Sequence, residues 1–317
     1  MNASRIFREA GLVCLLILVP LATPAAASKF TLPPETPAIL DKIYSFDLDG
    51  AVEASKRMEQ ERPGHPLGYL LEAEALWWRI WCTSADFKYG MSDARRRPKL
   101  EADQHYLELA AKALSLAEAQ IKLSESAEMQ FYAGMAEASA ARFYGLRAEN
   151  RNTARSGVRA REHLLRAKAL DANLADADMG VGLYDYYVDT LSAMARILRF
   201  FMGIPGGSKQ DGVRLLEHAM AQGDLTSNVA RFYLALNLHR YDQRYEKALG
   251  VLSPLVEKYP TNPLFQLARG DLYAKLGRKQ QALACYRAAG VLHVTSSECQ
   301  TRIRDLVGTS IAALGAQ

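Results

Sequence analysis

Residues 260–294, PTNPLFQLARGDLYAKLGRKQQALACYRAAGVLHV, decide the fold. The stretch is rich in Ala and Leu, and its apolar residues recur at helical spacing. Small residues interrupt it at set intervals. Moving about 34 residues forward from Ala248, Leu252 and Pro260 lands on Ala282, Tyr286 and Val294. If Pro260 takes position 32 of such a period, Gly270 falls at position 8 and Tyr273 at 11. Ala282 then falls at position 20, Tyr286 at 24 and Ala289 at 27.

Those residue types suit a tetratricopeptide unit, which pairs two antiparallel helices. Positions 8 and 20 are expected to face each other where the helices cross closely, so each needs Gly, Ala or Ser. Positions 11 and 24 fill the space beside the crossing. The proline ends the second helix and begins the turn to the next unit. The same frame places Ala51, Met58 and Pro63 at positions 20, 27 and 32, then Tyr69, Ala73 and Leu76 on the following helix. A third copy runs through Ala160, Leu164, Ala167 and Ala172, with Gly182 at the next position 8. Gly212, Leu216 and Ala219 mark a fourth second helix, with Asp224 in place of the proline.

Between these copies the pattern predicts helices over 101–123 and 127–148, joined by Leu123-Ser124-Glu125-Ser126, which supplies a turn and an N-cap. Strand signals are nearly absent. The expected fold is therefore all-α: a right-handed solenoid of about five tetratricopeptide-like helix pairs, capped by a helix over 297–314. Two insertions break the period. The first, 83–103, carries Arg95-Arg96-Arg97-Pro98-Lys99, read as a solvated basic loop, with a contact for an acidic partner or anionic lipid as the alternative. The second, 186–210, holds an apolar helix over 191–202 and the turn Gly203-Ile204-Pro205-Gly206-Gly207. Leu191, Met194, Ile197, Leu198 and Phe201 share one face of that helix. They suit either an extra core helix or one that rests on a membrane surface.

The run from Asp176 to Tyr184, the apolar helix, its glycine turn and the following Gly212-Val213-Arg214-Leu215-Leu216-Glu217 together resemble a bacterial branch of tetratricopeptide proteins. That branch is similar in turn to the eukaryotic tetratricopeptide repeat protein 39 family. The resemblance covers roughly 157–290. It implies an adaptor or interaction role and no reaction. Gly207-Ser208 departs from the Gly-Asp-Arg-like turn that the resemblance would lead one to expect.

The N-terminus reads as a leader. Arg5 and Arg8 precede an apolar run over 11–21, and Pro24-Ala25-Ala26-Ala27 offers small residues at a cleavage site. The expected cut follows Ala27, so that 1–27 is a signal peptide and 28–317 the mature solenoid in the periplasm or outside the cell. Cys82, Cys285 and Cys299 then remain in an oxidising compartment. Their odd number forbids full pairing. A Cys285–Cys299 bridge between consecutive helices is an open option; the other reading takes Cys82 and Cys285 as small buried apolar residues, and for Cys82, beside Trp77, Trp78 and Trp81, it is the one adopted. The net charge of +4, or +3 without Arg5, Arg8 and Glu9, is too small to argue for nucleic acid.

Chemistry finds little support. The six histidines are scattered, and neither a His-Glu-x-x-His nor a Cys-x-x-Cys motif occurs, so no metal or other cofactor is expected. The sequence accordingly reads as a non-enzyme: a protein- or peptide-binding scaffold acting through the concave face of its first helices. The expected contacts are Tyr184, Asp185, Asp189, Arg269, Asp271 and Lys275. The alternatives are an exported enzyme or accessory with a pocket over 185–196, near Asp185, Tyr186 and Arg196, or a peripheral membrane adaptor using 191–202.

Overall fold

The computed structural model describes residues 31–84, 101–191, Arg199 and 203–315. The expected leader, most of the 83–103 loop and most of the 191–202 helix lie outside the described residues. Within them the chain is entirely helical, without strands. In chain order the helices are α1 (Thr36–Tyr44), α2 (Leu48–Glu61), α3 (Leu67–Ser84), α4 (Glu101–Leu123), α5 (Ala127–Leu146), α6 (Asn150–Leu170) and α7 (Ala177–Asp189). They continue with α8 (Lys209–Gln222), α9 (Ser227–Arg240), α10 (Tyr245–Lys258), α11 (Pro263–Lys275), α12 (Lys279–Val291) and α13 (Ser297–Gly315).

Each described helix packs on its described neighbours in sequence, so among the described residues odd and even members form six pairs, with α13 closing the series. That is one pair more than expected. The additional first helix is α1, a short element with Pro37 in its first turn. Ser126 caps α5 as anticipated, its hydroxyl accepting from the Met129 amide.

Two layers follow from burial. The even helices bury a single stripe: Leu48, Ala51, Ser55 and Met58 in α2, Ser156, Ala160, Leu164 and Ala167 in α6, and Ala282, Cys285, Tyr286 and Ala289 in α12. Such spacing is that of an amphipathic helix facing a core. The odd helices α3, α9 and α11 are buried on most sides; nine of the thirteen residues of α11 are buried. They form the inner layer, and the even helices form the outer one.

Small residues meet closely at two of the helix crossings. A Cβ on Gly182 would come within 2.9 Å of the Gly212 carbonyl oxygen, so positions 8 and 20 meet between α7 and α8. Gly134 stands in the same relation to α6, where an added Cβ would meet Leu164 at 2.6 Å and the Ala160 carbonyl at 3.2 Å. At Gly270 the detail differs. The nearest atoms belong to Tyr286, at 2.6 Å, and Cys285, not to Ala282. The Tyr286 ring lies against the glycine, and its hydroxyl donates to Asp271 Oδ1 at 2.6 Å.

The stack closes on itself. The Tyr259 hydroxyl, at the end of α10, donates to Asp41 Oδ1 in α1 at 2.6 Å, and Thr261 Oγ1 donates to the Ser45 carbonyl. At the other end of α1's neighbourhood, α13 packs against α3, and Cys82 forms a disulfide with Cys299. This closes the Cys285–Cys299 option and corrects the reading of Cys82, which is buried but bonded. The bridge joins Cys82 to Cys299, and Cys285 is a buried free thiol. Pairing is set by which helices the curvature brings together, not by proximity in sequence.

Candidate functional site

Closure fills the face on which a partner was expected. Trp78 of α3, 1% exposed, lies 5.0 Å from Phe232 of α9 and 5.5 Å from Phe265 of α11, measured between ring centres. Trp81 adds an edge contact to Phe232, and Tyr44 stands against both Trp78 and Tyr259. Beside these rings Glu74 accepts from Trp78 Nε1 at 3.0 Å and from Arg142 Nη2 at 2.6 Å. Arg142 also donates to the Tyr106 hydroxyl and lies 4.6 Å from the Trp77 ring centre. Burial pushes the Tyr106 hydroxyl up to about 12. The inner surface is thus an aromatic core with one satisfied polar network.

The six expected contacts separate accordingly. Tyr184 is half-buried and donates its hydroxyl to the Pro205 carbonyl at 2.9 Å, against the glycine turn. Asp185 is buried. Burial raises its carboxyl above the usual range, while Arg161, 3.4 Å away, pulls it partly back. Asp189 accepts from the Lys209 amide at 2.9 Å, at the start of α8. These three residues therefore seat the 203–207 turn on α7, and a Cβ at Gly207 would lie 2.5 Å from the Asp185 Cα. Tyr186 is wholly buried, its hydroxyl 3.0 Å from Asp242 Oδ1. Arg196, named for the alternative pocket, lies outside the described residues. On α11, Asp271 is 6% exposed and bound by Tyr286, so it is not the surface contact expected of it. Arg269 is half-buried and donates to Gln266, while Lys275 stands exposed at the helix end.

Two outer-face features went unread in the sequence. One joins α2, α3 and α4. Glu72, 2% exposed, has His105 Nε2 at 3.0 Å and Lys56 Nζ at 3.6 Å. Burial, then the facing Glu72 carboxylate, push Glu59 up to about 7. The other is a cleft of about 230 Å³ between α4 and α6, floored by α5. Leu107, Ala110, Ala111 and Leu114 form one wall, and Ala136 and Ala140 the floor. The α6 wall carries Arg155 and Arg159. Glu137, 5% exposed, sits beneath Arg159 at 3.2 Å. Arg151, Arg155 and Arg159 are spaced i, i+4, i+8, so they share one helix face, a periodicity that was open to reading in the sequence.

No protein-family model matches the chain, and no curated protein does. Among solved structures, the C-terminal part of a TPR repeat-containing protein from Cytophaga hutchinsonii aligns at 12% identity and a TM-score of 0.35, covering 89% of this chain and 96% of that one. Yeast Tom70 aligns at 10% identity and a TM-score of 0.29, covering 87% and 88%. The packing of Gly182 on Gly212 and of Gly270 under Tyr286, repeated through paired neighbouring helices, gives this chain a tetratricopeptide-like fold.

Proposed function

We propose that the protein is an exported tetratricopeptide-type binding module, a bacterial relative of the repeat protein 39 group, whose protein partner docks on the outer face. The observation that carries this reading is the open cleft between α4 and α6. It combines an apolar floor with arginines at its rim, while the inner face is occupied by the chain's own aromatic rings. Repeat stacks commonly bind partners on their concave surface; here aromatic rings fill that surface, which leaves the outer face. Periplasmic or secreted placement after loss of 1–27 is supported by the Cys82–Cys299 pair, since such bonds persist in oxidising compartments. Among the described residues no helix is long and apolar enough to cross a membrane. Binding rather than catalysis is proposed because the carboxylates and tyrosines of 184–189 hold the repeat junction together.

The test is photocrosslinking in intact cells, with a photoreactive residue at Ala111 on the cleft wall and, separately, at Ala312 on α13; both positions are exposed. A discrete adduct from Ala111 and none from Ala312 is expected. An adduct from Ala312 on α13, with none from Ala111, would move the partner to the other end of the stack and overturn the reading.

A further inference from the structure

Granting an outer-face partner, which the reading above supplies, the chemistry of the cleft specifies what kind of segment enters it. We infer that the α4–α6 cleft takes an acidic amphipathic helix, with small or medium apolar side chains on the alanine floor and carboxylates one turn apart against the α6 arginines.

Three observations lead there. The first is shape. The walls are helices, and both run antiparallel to α5. Asp103 pairs with Arg147 and Tyr106 with Ser139 on one side, while Gln130 meets His163 and Glu137 meets Arg159 on the other. The cleft is therefore a trough between two parallel helices. Its lined length, Leu107 to Leu114, is about 10 Å at about 1.5 Å per residue, or two helical turns. At about 230 Å³ it is smaller than the roughly 300–1,000 Å³ of pockets that enclose small molecules. It accommodates anchor side chains rather than a whole ligand.

The second observation is backbone chemistry. An extended peptide needs a sheet edge to satisfy its amides, and a polyproline segment needs an aromatic-lined groove. This trough offers helix flanks and one aromatic residue, Tyr144. A helix satisfies its own backbone and needs only close approach, which Ala110, Ala136 and Ala140 permit.

The third is charge. Arg159 is held at the rim by Glu137, whereas Arg151 and Arg155 make no ion pair with any described residue. Residues four apart rise about 6 Å, the separation of carboxylates four apart on a helix laid alongside. The chain's own remaining segments are unsuited as occupants. Residues 84–100 carry Lys88, Arg95, Arg96, Arg97 and Lys99 against Asp86 and Asp93, and 192–202 carry Arg196 and Arg199 with no acid. The arginine row repels both.

The experiment uses the mature full chain and a fluorescent peptide of about 18 residues, long enough for five helical turns, with a Leu/Ala stripe flanked by Glu at every fourth position. Fluorescence anisotropy is expected to show saturable binding that weakens at least about tenfold when salt rises from about 50 to about 500 mM, because the rim is exposed to screening. The double variant Arg155→Glu, Arg159→Glu should lose binding while keeping its circular dichroism spectrum, and should gain affinity for the same peptide with Lys in place of Glu. Equal binding of a scrambled peptide of identical charge would overturn the helix requirement. Unchanged binding to the double variant, or no saturable binding to the native chain, would overturn the site. A partner adduct at Ala111 alongside a silent peptide would reject this inference and leave the outer-face reading standing.

Discussion

The side-chain amide of Asn262 donates to the backbone carbonyl of Tyr44 at 3.0 Å, across 218 residues of chain. Asn262 is fully inaccessible, and its carbonyl oxygen also accepts from the Leu264 and Phe265 amides, capping α11. One residue thus starts a helix of the last pair and ties it to the first.

Asn262→Ala should cost about 2–4 kcal/mol, the sum of a lost N-cap and a buried carbonyl left without a donor. Asn262→Ser retains an acceptor for the cap but cannot reach Tyr44 in the same way, so it should cost about half as much. Urea titration of both variants checks this. Equal midpoints for Ala and native protein would mean that the two ends do not meet.

Gly270→Leu should overpack the α11–α12 crossing and cost about 1–3 kcal/mol or more, since even a Cβ there lies 2.6 Å from the Tyr286 ring. Gly250, in α10, is the control. Nothing lies within 4 Å of its added Cβ, so Gly250→Ala should stabilise the protein by about 0.5–1 kcal/mol through helix propensity alone. Thermal melts of the pair should move in opposite directions; a shared direction would break the assigned register.

Glu59 sets a pH dependence. In the unfolded chain its proton leaves near the ordinary 4.5; in the fold it leaves near about 7, held by burial and by the facing Glu72. Below the lower value both states are protonated and the stabilising contribution is complete. Between the two values the fold keeps a proton that the unfolded chain has shed. Stability therefore falls as pH rises from about 4.5 through about 7, then levels. Glu59→Gln, which keeps a donor toward Glu72, should flatten that part of the profile. It should add on the order of 1 kcal/mol at pH 8, a value reduced by the solvent exposure of the group. Denaturation midpoints across pH 4–8 decide it, and a slope unchanged by the substitution would exclude Glu59 as its source.

The repeat was legible because its cause is local. Gly134, Gly182 and Gly212 sit where two backbones approach, and Gly270 sits under the Tyr286 ring; an added Cβ would crowd its neighbours at each. Ser126 was legible as a cap because its hydroxyl serves an amide three residues on. What could not be read is curvature. A small rotation per repeat decides whether α1 and α3 reach α11 and α13, and no residue type encodes that sum. The partner of Cys82 and the filling of the inner face by Trp78, Phe232 and Phe265 both depend on it. Asp271 was misplaced for the same reason on a smaller scale. It lies beside Gly270 in sequence, but its burial is set by Tyr286 on the next helix.

Ring closure is tested most directly by peptide mapping, under non-reducing conditions, of the protein produced in an oxidising compartment. Trypsin cutting at Arg287 separates the peptides that hold Cys285 and Cys299. The closed stack predicts the Cys299 peptide joined to the Cys82 peptide, with Cys285 alkylated only after unfolding. A Cys285–Cys299 linkage, or three free thiols in protein recovered from an oxidising compartment, would contradict closure and reopen the inner face as the binding surface.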